Sequence, residues 1–226
     1  MNENILVVAN GDPPSAALLH RLLSEHDLLV AVDGGLHTCL RYGLEPDLLI
    51  GDFDSVSQKI RGQLSKTQQI HTPDQNKCDL EKTLEYLFLE RSGATSASNI
   101  ISVCGALGKR LDHTMTNICL LCRYPGKVKF ESDAEWCMAL PPSSVLTCRQ
   151  GQQLSLIPVS TSVPGVVTQG LKWELNGATL NKYFVSTSNV CLGTSVSIAF
   201  ASGDLVVCLI REEVANEQNC PKRECS

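Results

Sequence analysis

Five consecutive residues, Gly51-Asp52-Phe53-Asp54-Ser55, hold the densest chemistry in this chain. They follow Asp47-Leu48-Leu49-Ile50, an apolar run that reads as a buried strand. Side chains two apart on a strand share a face, so Asp52 and Asp54 aim at one point if strand geometry continues past Gly51. Two like charges so aimed repel unless a cation lies between them. Oxygen-only ligands suit a hard ion, and Mg²⁺ typically takes one or two carboxylates plus substrate phosphates. The pair therefore suggests phosphate chemistry. The plain alternative is a solvated acidic turn, because so short a motif recurs by chance.

Other carboxylates stand at equivalent places. Asp33 follows the strand signal Leu28–Val32, and Asp74 and Asp79 follow Gln68–Thr72. Asp112 lies beyond Asn99–Cys104, in Gly105-Ala106-Leu107-Gly108-Lys109-Arg110-Leu111-Asp112-His113. Open α/β sheets bind ligands outside the carboxyl ends of their strands, and these residues line that edge. Each also has a structural alternative. Asp33-Gly34-Gly35 suits a simple turn, Asp79 a helix first turn, and Asp112 a helix N-cap. Their joint placement on one edge favours metal and phosphate. Arg110 suits a polyphosphate, which it would grip in a fork, or an ion pair with Asp112. Gly105 and Gly108 let main-chain N–H groups approach the same phosphates. No GxxxxGK[ST] is present, so a nucleotide would not be held by a P-loop.

The elements that position these residues alternate through the first half. Strand signals cover Ile5–Ala9, Leu28–Val32, Leu48–Ile50, Gln68–Thr72 and Asn99–Cys104. Helical spacing covers Pro14–Glu25, Leu36–Tyr42, Asp79–Arg91, with Gly93 as its C′ residue, and His113–Arg123. Such alternation predicts a parallel, Rossmann-like sheet with helices on both faces. After Gly126 come two strands, Lys127–Glu131 and Glu135–Leu140. Beyond Pro142 there are only short strands: Val145–Cys148, Gln153–Pro158, Gly165–Thr168, Val190–Leu192, Ser195–Phe200 and Leu205–Ile210. This reads as a small all-β sandwich or barrel. The expected organisation is an α/β domain over 1–141, a β domain over 142–213 and a disordered tail over 214–226.

Composition excludes several classes. At 226 residues with 43% hydrophobic and 19% charged residues, the chain reads as globular with a real core. A net charge of −5 without a basic run argues against a nucleic-acid partner. No apolar stretch is long enough for a membrane span, and Met1-Asn2-Glu3-Asn4 lacks the basic region of a signal peptide, so a cytoplasmic location is expected. The eleven cysteines are scattered and odd in number. Most fall in apolar runs and read as free thiols. Cys119-x-x-Cys122 has no second ligand pair to complete a metal site. Cys220 and Cys225, in the polar tail, are the thiols expected to oxidise first.

Taken together, Asp33-Gly34-Gly35, Gly51-Asp52-Phe53-Asp54-Ser55, Thr72-Pro73-Asp74-Gln75 through Asp79, Arg110-Leu111-Asp112-His113, Gly170-Leu171-Lys172-Trp173 and Ser186-Thr187-Ser188-Asn189 resemble the thiamine pyrophosphokinase family over residues 5–211. The resemblance implies an ATP-binding α/β domain, a thiamine-binding β domain and a homodimer with shared active sites. It implies Mg²⁺-dependent transfer of a pyrophosphoryl group from ATP to the hydroxyethyl oxygen of thiamine, giving thiamine diphosphate and AMP. It implies Asp52, Asp54 and Asp79 as metal ligands, and these three with Arg110 as the catalytic set. It implies Asp33, Gly34, Asp74, Gln75, Arg110, Asp112 and His113 at the ATP site, and Trp173, Ser188 and Asn189 at the thiamine site. Two positions depart from the family pattern: Cys78 stands where Thr is usual and Lys109 where Gly is common. The general base stays open among the Asp residues and His113. Rival readings are a metal-dependent phosphohydrolase acting on a nucleotide and a thiamine-binding protein without turnover.

Overall fold

The computed structural model describes residues 4–89 and 100–211. Gly93, the tail over 214–226, Cys220 and Cys225 lie outside those residues. The first half alternates as expected: β1 (Ile5–Val8), α1 (Ala16–Glu25), β2 (Leu28–Val32), α2 (Gly35–Arg41), β3 (Leu48–Gly51), α3 (Gln58–Arg61), β4 (Gln68–His71), α4 (Asp79–Leu89), β5 (Ile101–Cys104), α5 (Leu111–Leu121) and β6 (Val128–Glu131). These strands are parallel and lie side by side in the order β6-β5-β1-β2-β3-β4. Val7, Val30, Ile50 and Val103 pack on one face against Leu84 and Leu87 of α4 and Leu120 and Leu121 of α5. Leu6, Val8, Ala31 and Leu49 pack on the other against Leu18, Leu19 and Leu22 of α1 and Leu36 of α2. Burial on both faces is why the inner strands read as unbroken apolar runs.

The chain builds β1 to β4 outward, then returns to place β5 beside β1 on its other side. That reversal is the topological switch point, and it opens a crevice beyond the carboxyl ends of β1 and β5.

Two short helical details were not legible in the sequence. The one-turn α3 is capped by Ser57, whose hydroxyl accepts from Ile60 N. Helix α5 begins at Leu111, two residues before the expected start, so Asp112 lies in its first turn. Arg110 occupies the N-cap, and Asp112 is not the cap.

The second half is antiparallel, but it does not stand apart from the first sheet. After β7 (Glu135–Ala139) come β8 (Ser143–Thr147), β9 (Gln153–Pro158), β10 (Ser162–Gln169), β11 (Asn176–Asn181), β12 (Ser186–Val190), β13 (Ser195–Ala199) and β14 (Leu205–Ile210). Strands β7, β14, β9 and β12 extend the parallel sheet to ten strands, while β11-β10-β13-β8 form a separate four-stranded sheet. The sandwich core joins Met138, Leu154, Leu156, Leu205 and Val207 to Leu146, Val163, Leu180, Val196 and Ile198. On their reverse face, Cys137, Ala139 and Val206 belong to the core beneath α4 and α5. Strands β7 and β14 are thus covered on both sides. Strand β11, Asn176-Gly177-Ala178-Thr179-Leu180-Asn181, was not foreseen because Leu180 is its one buried residue.

Candidate active site

The loops beyond β1, β2, β3 and β5, with the start of α4, enclose a cleft of about 420 Å³. Asp33, Asp54 and Asp79 line it together with Lys109, Arg110 and His113. Asn10 and Gly11 after β1 and Gly105, Ala106 and Gly108 after β5 also line it. The two loops touch where Gly11 N donates to Gly105 O at 2.6 Å, an approach that a Cβ on Gly11 would block at 2.3 Å.

Asp52 and Asp54 do converge, but not because the strand continues. Strand β3 ends at Gly51, and Phe53 adopts a left-handed φ of 66°. The Phe53 ring is held between the Arg61 guanidinium, 4.6 Å from its centroid, and the His71 ring at 5.4 Å. That packing sustains a conformation disfavoured for a bulky residue. The turn brings ligand oxygens of Asp33, Asp52 and Asp54 within 4.8 Å of one another. Asp54 N also donates to Asp52 Oδ1 at 3.2 Å, and Ser55 Oγ donates to Asp54 Oδ1 at 2.9 Å.

Asp33 is the buried member of this trio, and its Oδ1 has no hydrogen-bond partner. Burial pushes its carboxyl above the ordinary range, and the charges of Asp79 and Asp54 push the same way. An orphaned carboxylate oxygen in a cluster of carboxylates fits a hard divalent cation such as Mg²⁺.

Asp79 is held differently. Lys82, one turn along α4, is buried and places its ammonium 2.6 Å from Asp79 Oδ1 and 3.7 Å from Asp52 Oδ2. It also donates to Thr72 O at 3.1 Å. Burial opposes the Asp52 charge, but the Asp54 N–H, Lys82 and the Gln75 amide outweigh it and hold that carboxyl below its ordinary range. Gln75 Nε2 reaches Asp52 Oδ2 at 3.2 Å. The sequence reading did not single out Lys82. The available signal was its i,i+3 spacing from Asp79.

Other expected positions divide. Gly34 lies against Asn10, whose Nδ2 would be 2.4 Å from a Cβ there. Arg110 and Asp112 form an exposed two-bond ion pair, Nε to Oδ1 at 3.1 Å and Nη2 to Oδ2 at 2.5 Å, which holds the Asp112 carboxyl at about 2. Arg110 lines the cleft, and Asp112 acts on it through Arg110. Asp74 is not brought to this cleft. It lines a separate depression with Thr72, Lys77 and Glu85, and its carboxylate accepts from Asn76. Asn10 was missed altogether: its main-chain O and Oδ1 accept from Lys109 Nζ at 2.9 and 3.3 Å.

None of Trp173, Ser188 and Asn189 lines the cleft. Trp173 is 56% exposed, and the Lys172 ammonium lies 4.7 Å from its ring centroid. Asn189 is buried, and its amide grips the Trp173 main chain: Oδ1 accepts from Trp173 N at 3.1 Å and Nδ2 donates to Trp173 O at 2.7 Å. Asn189 therefore positions Trp173. Ser188 sits at an irregularity in the β12–β9 pairing with φ 53°, where its N–H donates to Ser155 Oγ at 3.0 Å. Such an irregularity re-aims a side chain.

One regularity links these places. Among the described residues, the non-glycine residues with positive φ are Asp33, Phe53, Lys109 and Ser188. Asp33, Phe53 and Lys109 fall inside segments picked out by residue chemistry, and Ser188 inside one that carries the family resemblance. Strained backbone persists only where its surroundings enforce it, and it gathers at functional sites.

An acidic crevice at the switch point of a parallel sheet, continued by an antiparallel β-sandwich that presents an exposed indole, defines a two-part α/β protein. Comparison with known proteins makes this specific. The family model described as "Thiamin pyrophosphokinase, catalytic domain" matches residues 19–132, and "Thiamin pyrophosphokinase, vitamin B1 binding domain" matches residues 143–205. The chain belongs to the thiamine pyrophosphokinase family and is an enzyme of the kinase class of transferases. Thiamine pyrophosphokinase of Bacillus subtilis is 26% identical over 220 residues, covering 91% of this chain and 97% of its own. Thiamine pyrophosphokinase 3 of Oryza sativa subsp. japonica is 30% identical over 179 residues, covering 74% and 67%. The fold is shared with the thiamin pyrophosphokinase of Candida albicans, at a TM-score of 0.79 and 21% identity over 93% of this chain and 90% of that one.

Proposed function

We propose that this chain transfers the intact pyrophosphoryl group of ATP to the hydroxyethyl oxygen of thiamine, releasing AMP, and that it uses Mg²⁺. The observation that carries this reading is the cleft, whose lining combines Asp33 and Asp54 with Lys109, Arg110 and the glycines at 105 and 108.

Phosphoryl-type transfer depends on positioning and charge neutralisation more than on covalent chemistry. Asp33, Asp52 and Asp54 would hold Mg²⁺, which offsets phosphate charge and makes phosphorus more electrophilic. Lys82 keeps Asp52 and Asp79 in place as a fixed positive charge. Arg110 and Lys109, in the same cleft lining, receive phosphate oxygens, and Asp112 orients Arg110. The loop at Gly105 and Gly108 lets its N–H groups approach the triphosphate. Trp173 offers an exposed indole face to the thiazolium, an attraction of about 0.5–2 kcal/mol. The Lys172 ammonium, 4.7 Å from the ring centroid, supports a cation-binding role for that indole.

The thiamine residues stand outside the cleft of their own chain, which supports a homodimer in which a second copy completes the site. Its free thiols accord with work in a reducing cytoplasm. The described residues include no helix long and apolar enough to cross a membrane.

The test is to incubate the protein with Mg·ATP and thiamine, omit each component in turn, and quantify AMP and thiamine diphosphate. AMP formation that depends strictly on thiamine supports the reading. Phosphate release without thiamine would make the protein a hydrolase, and thiamine binding without AMP would make it a binding protein.

A further inference from the structure

We propose that Cys137 and Cys208 form an oxidative modification site, in which a peroxide closes a disulfide between β7 and β14. Their sulfurs lie 3.1 Å apart. The residues face each other directly in the antiparallel pairing of the two strands. Hydrogen bonds run from Leu140 N to Leu205 O and from Arg211 N to Ala134 O. Bonded and non-bonded pairs alternate along an antiparallel ladder, so Cys137 and Cys208 occupy a non-bonded pair. There the Cα atoms are about 4.5 Å apart, at the near end of the span that a disulfide bridges without backbone movement.

Access distinguishes this pair from the other neighbouring thiols. Cys148 and Cys191 interact, but both are buried. Cys208 is partly exposed, so a small oxidant reaches its sulfur while Cys137 waits behind it. Beside them stands the half-buried Glu135, with a carboxylate oxygen within 4.8 Å of both sulfurs. Its side chain has no hydrogen-bond or ion-pair partner among the described residues, so it is free to take a proton.

The chemistry balances with the peroxide as oxidant. Cys208 gives its proton to Glu135 and its sulfur attacks one peroxide oxygen. The O–O bond breaks, and the second oxygen leaves as water with the proton from Glu135. The Cys137 sulfur then attacks the resulting sulfenic sulfur. The S–O bond breaks, and the hydroxyl leaves as a second water with the Cys137 proton. Two thiols are oxidised to one disulfide as one peroxide is reduced to two waters.

The bond would join a strand that precedes Pro142 to the last strand of the sheet, closing a loop of 71 positions. Loop closure of that length restricts the unfolded chain and raises stability.

The experiment treats the reduced full-length protein with stoichiometric hydrogen peroxide, blocks remaining thiols and maps peptides without reduction. The expected result is a peptide linking Cys137 to Cys208, a mass loss of about 2 Da and a Tm rise of at least ~4 °C that dithiothreitol reverses. Cys208→Ser and Cys137→Ala should each lose both the linked peptide and the Tm rise. No linked peptide, or a link confined to other cysteines such as Cys148 and Cys191, would overturn the proposal. So would one equivalent of zinc in the protein as purified, released by p-hydroxymercuribenzoate, since the cluster would then be a metal site.

Discussion

The Lys82 ammonium lies 2.6 Å from the Oδ1 of Asp79, a residue that lines the acidic cleft. The same ammonium lies 3.7 Å from Asp52 Oδ2, so one lysine bridges two of the carboxylates expected at the metal. Carboxylate oxygens of Asp33, Asp52 and Asp54 lie within 4.8 Å of one another, and Lys82 joins Asp79 to Asp52. Breaking a buried pair by deleting one partner leaves an uncompensated charge and costs about 3 kcal/mol or more. Lys82→Met should therefore lower unfolding stability by about 3 kcal/mol in urea titrations. It should also lower kcat at least tenfold, because Asp52 loses its anchor. A stability change under about 1 kcal/mol would show that the pair contributes little.

The carboxylate trio makes a separate prediction. Asp54→Asn should keep the fold, with near-native circular dichroism, and retain less than about a tenth of wild-type turnover, a loss of more than ~1.4 kcal/mol in transition-state stabilisation. Asp33→Asn should weaken Mn²⁺ binding, followed by electron paramagnetic resonance without ATP. Unchanged Mn²⁺ affinity in Asp33→Asn would remove Asp33 from the ligand set.

Lys109 combines strain with charge, and two substitutions separate them. Its φ of 56° suits glycine, and its Nζ binds Asn10. Lys109→Gly relieves about 1 kcal/mol of backbone strain while deleting the cation, so stability should stay near wild type as KM for ATP rises several-fold. Lys109→Ala keeps the strain and should be both less stable and weaker for ATP. Equal KM values for all three proteins would exclude a phosphate contact.

Trp173→Ala should weaken thiamine binding more than ATP binding, by about threefold or more. Isothermal titration with each substrate measures both. Equal effects would indicate a general role in the sandwich.

His26 sets an acid limit on stability. Burial pushes its imidazole below the ordinary value of 6.5, and the Leu22 carbonyl only partly compensates. A depressed folded pKa means that the unfolded chain takes up the proton first as pH falls. The stability is complete above 6.5 and declines below it. Urea midpoints should therefore fall between pH 7 and 5.5, and the decline should be shallower in His26→Gln. Parallel profiles for the two proteins would assign the acid sensitivity elsewhere.

Much of the architecture was written in periodicity. The strands β1, β2, β3 and β5 are apolar because helices cover both their faces, and that pattern is local. The mixture of Asp residues after β2, β3 and β4 marked the sheet edge for the same reason, since loop position follows from strand position. What was not local was harder to read. Phe53 gave no sign that it would turn left-handed, because its rotation is enforced by Arg61 and His71 from elsewhere in the chain. Lys82 was not singled out, because its contacts with Asp52 and Thr72 join it to other segments of the chain. Strand β11 was invisible because one of its residues is buried and the rest face outward or sit at turns.

By itself, the sequence determined the alternation of the first half, the strand-rich second half and the family, because residue type and spacing are properties of the chain. The tertiary structure decided which residues meet. Chain reversal at β5 created the cleft. The pairing of β7 with β14 carried the antiparallel strands into the parallel sheet. A left-handed residue, not a continuing strand, turned Asp52 and Asp54 toward Asp33. These are long-range outcomes, set by packing and hydrogen bonding between segments that no local pattern connects.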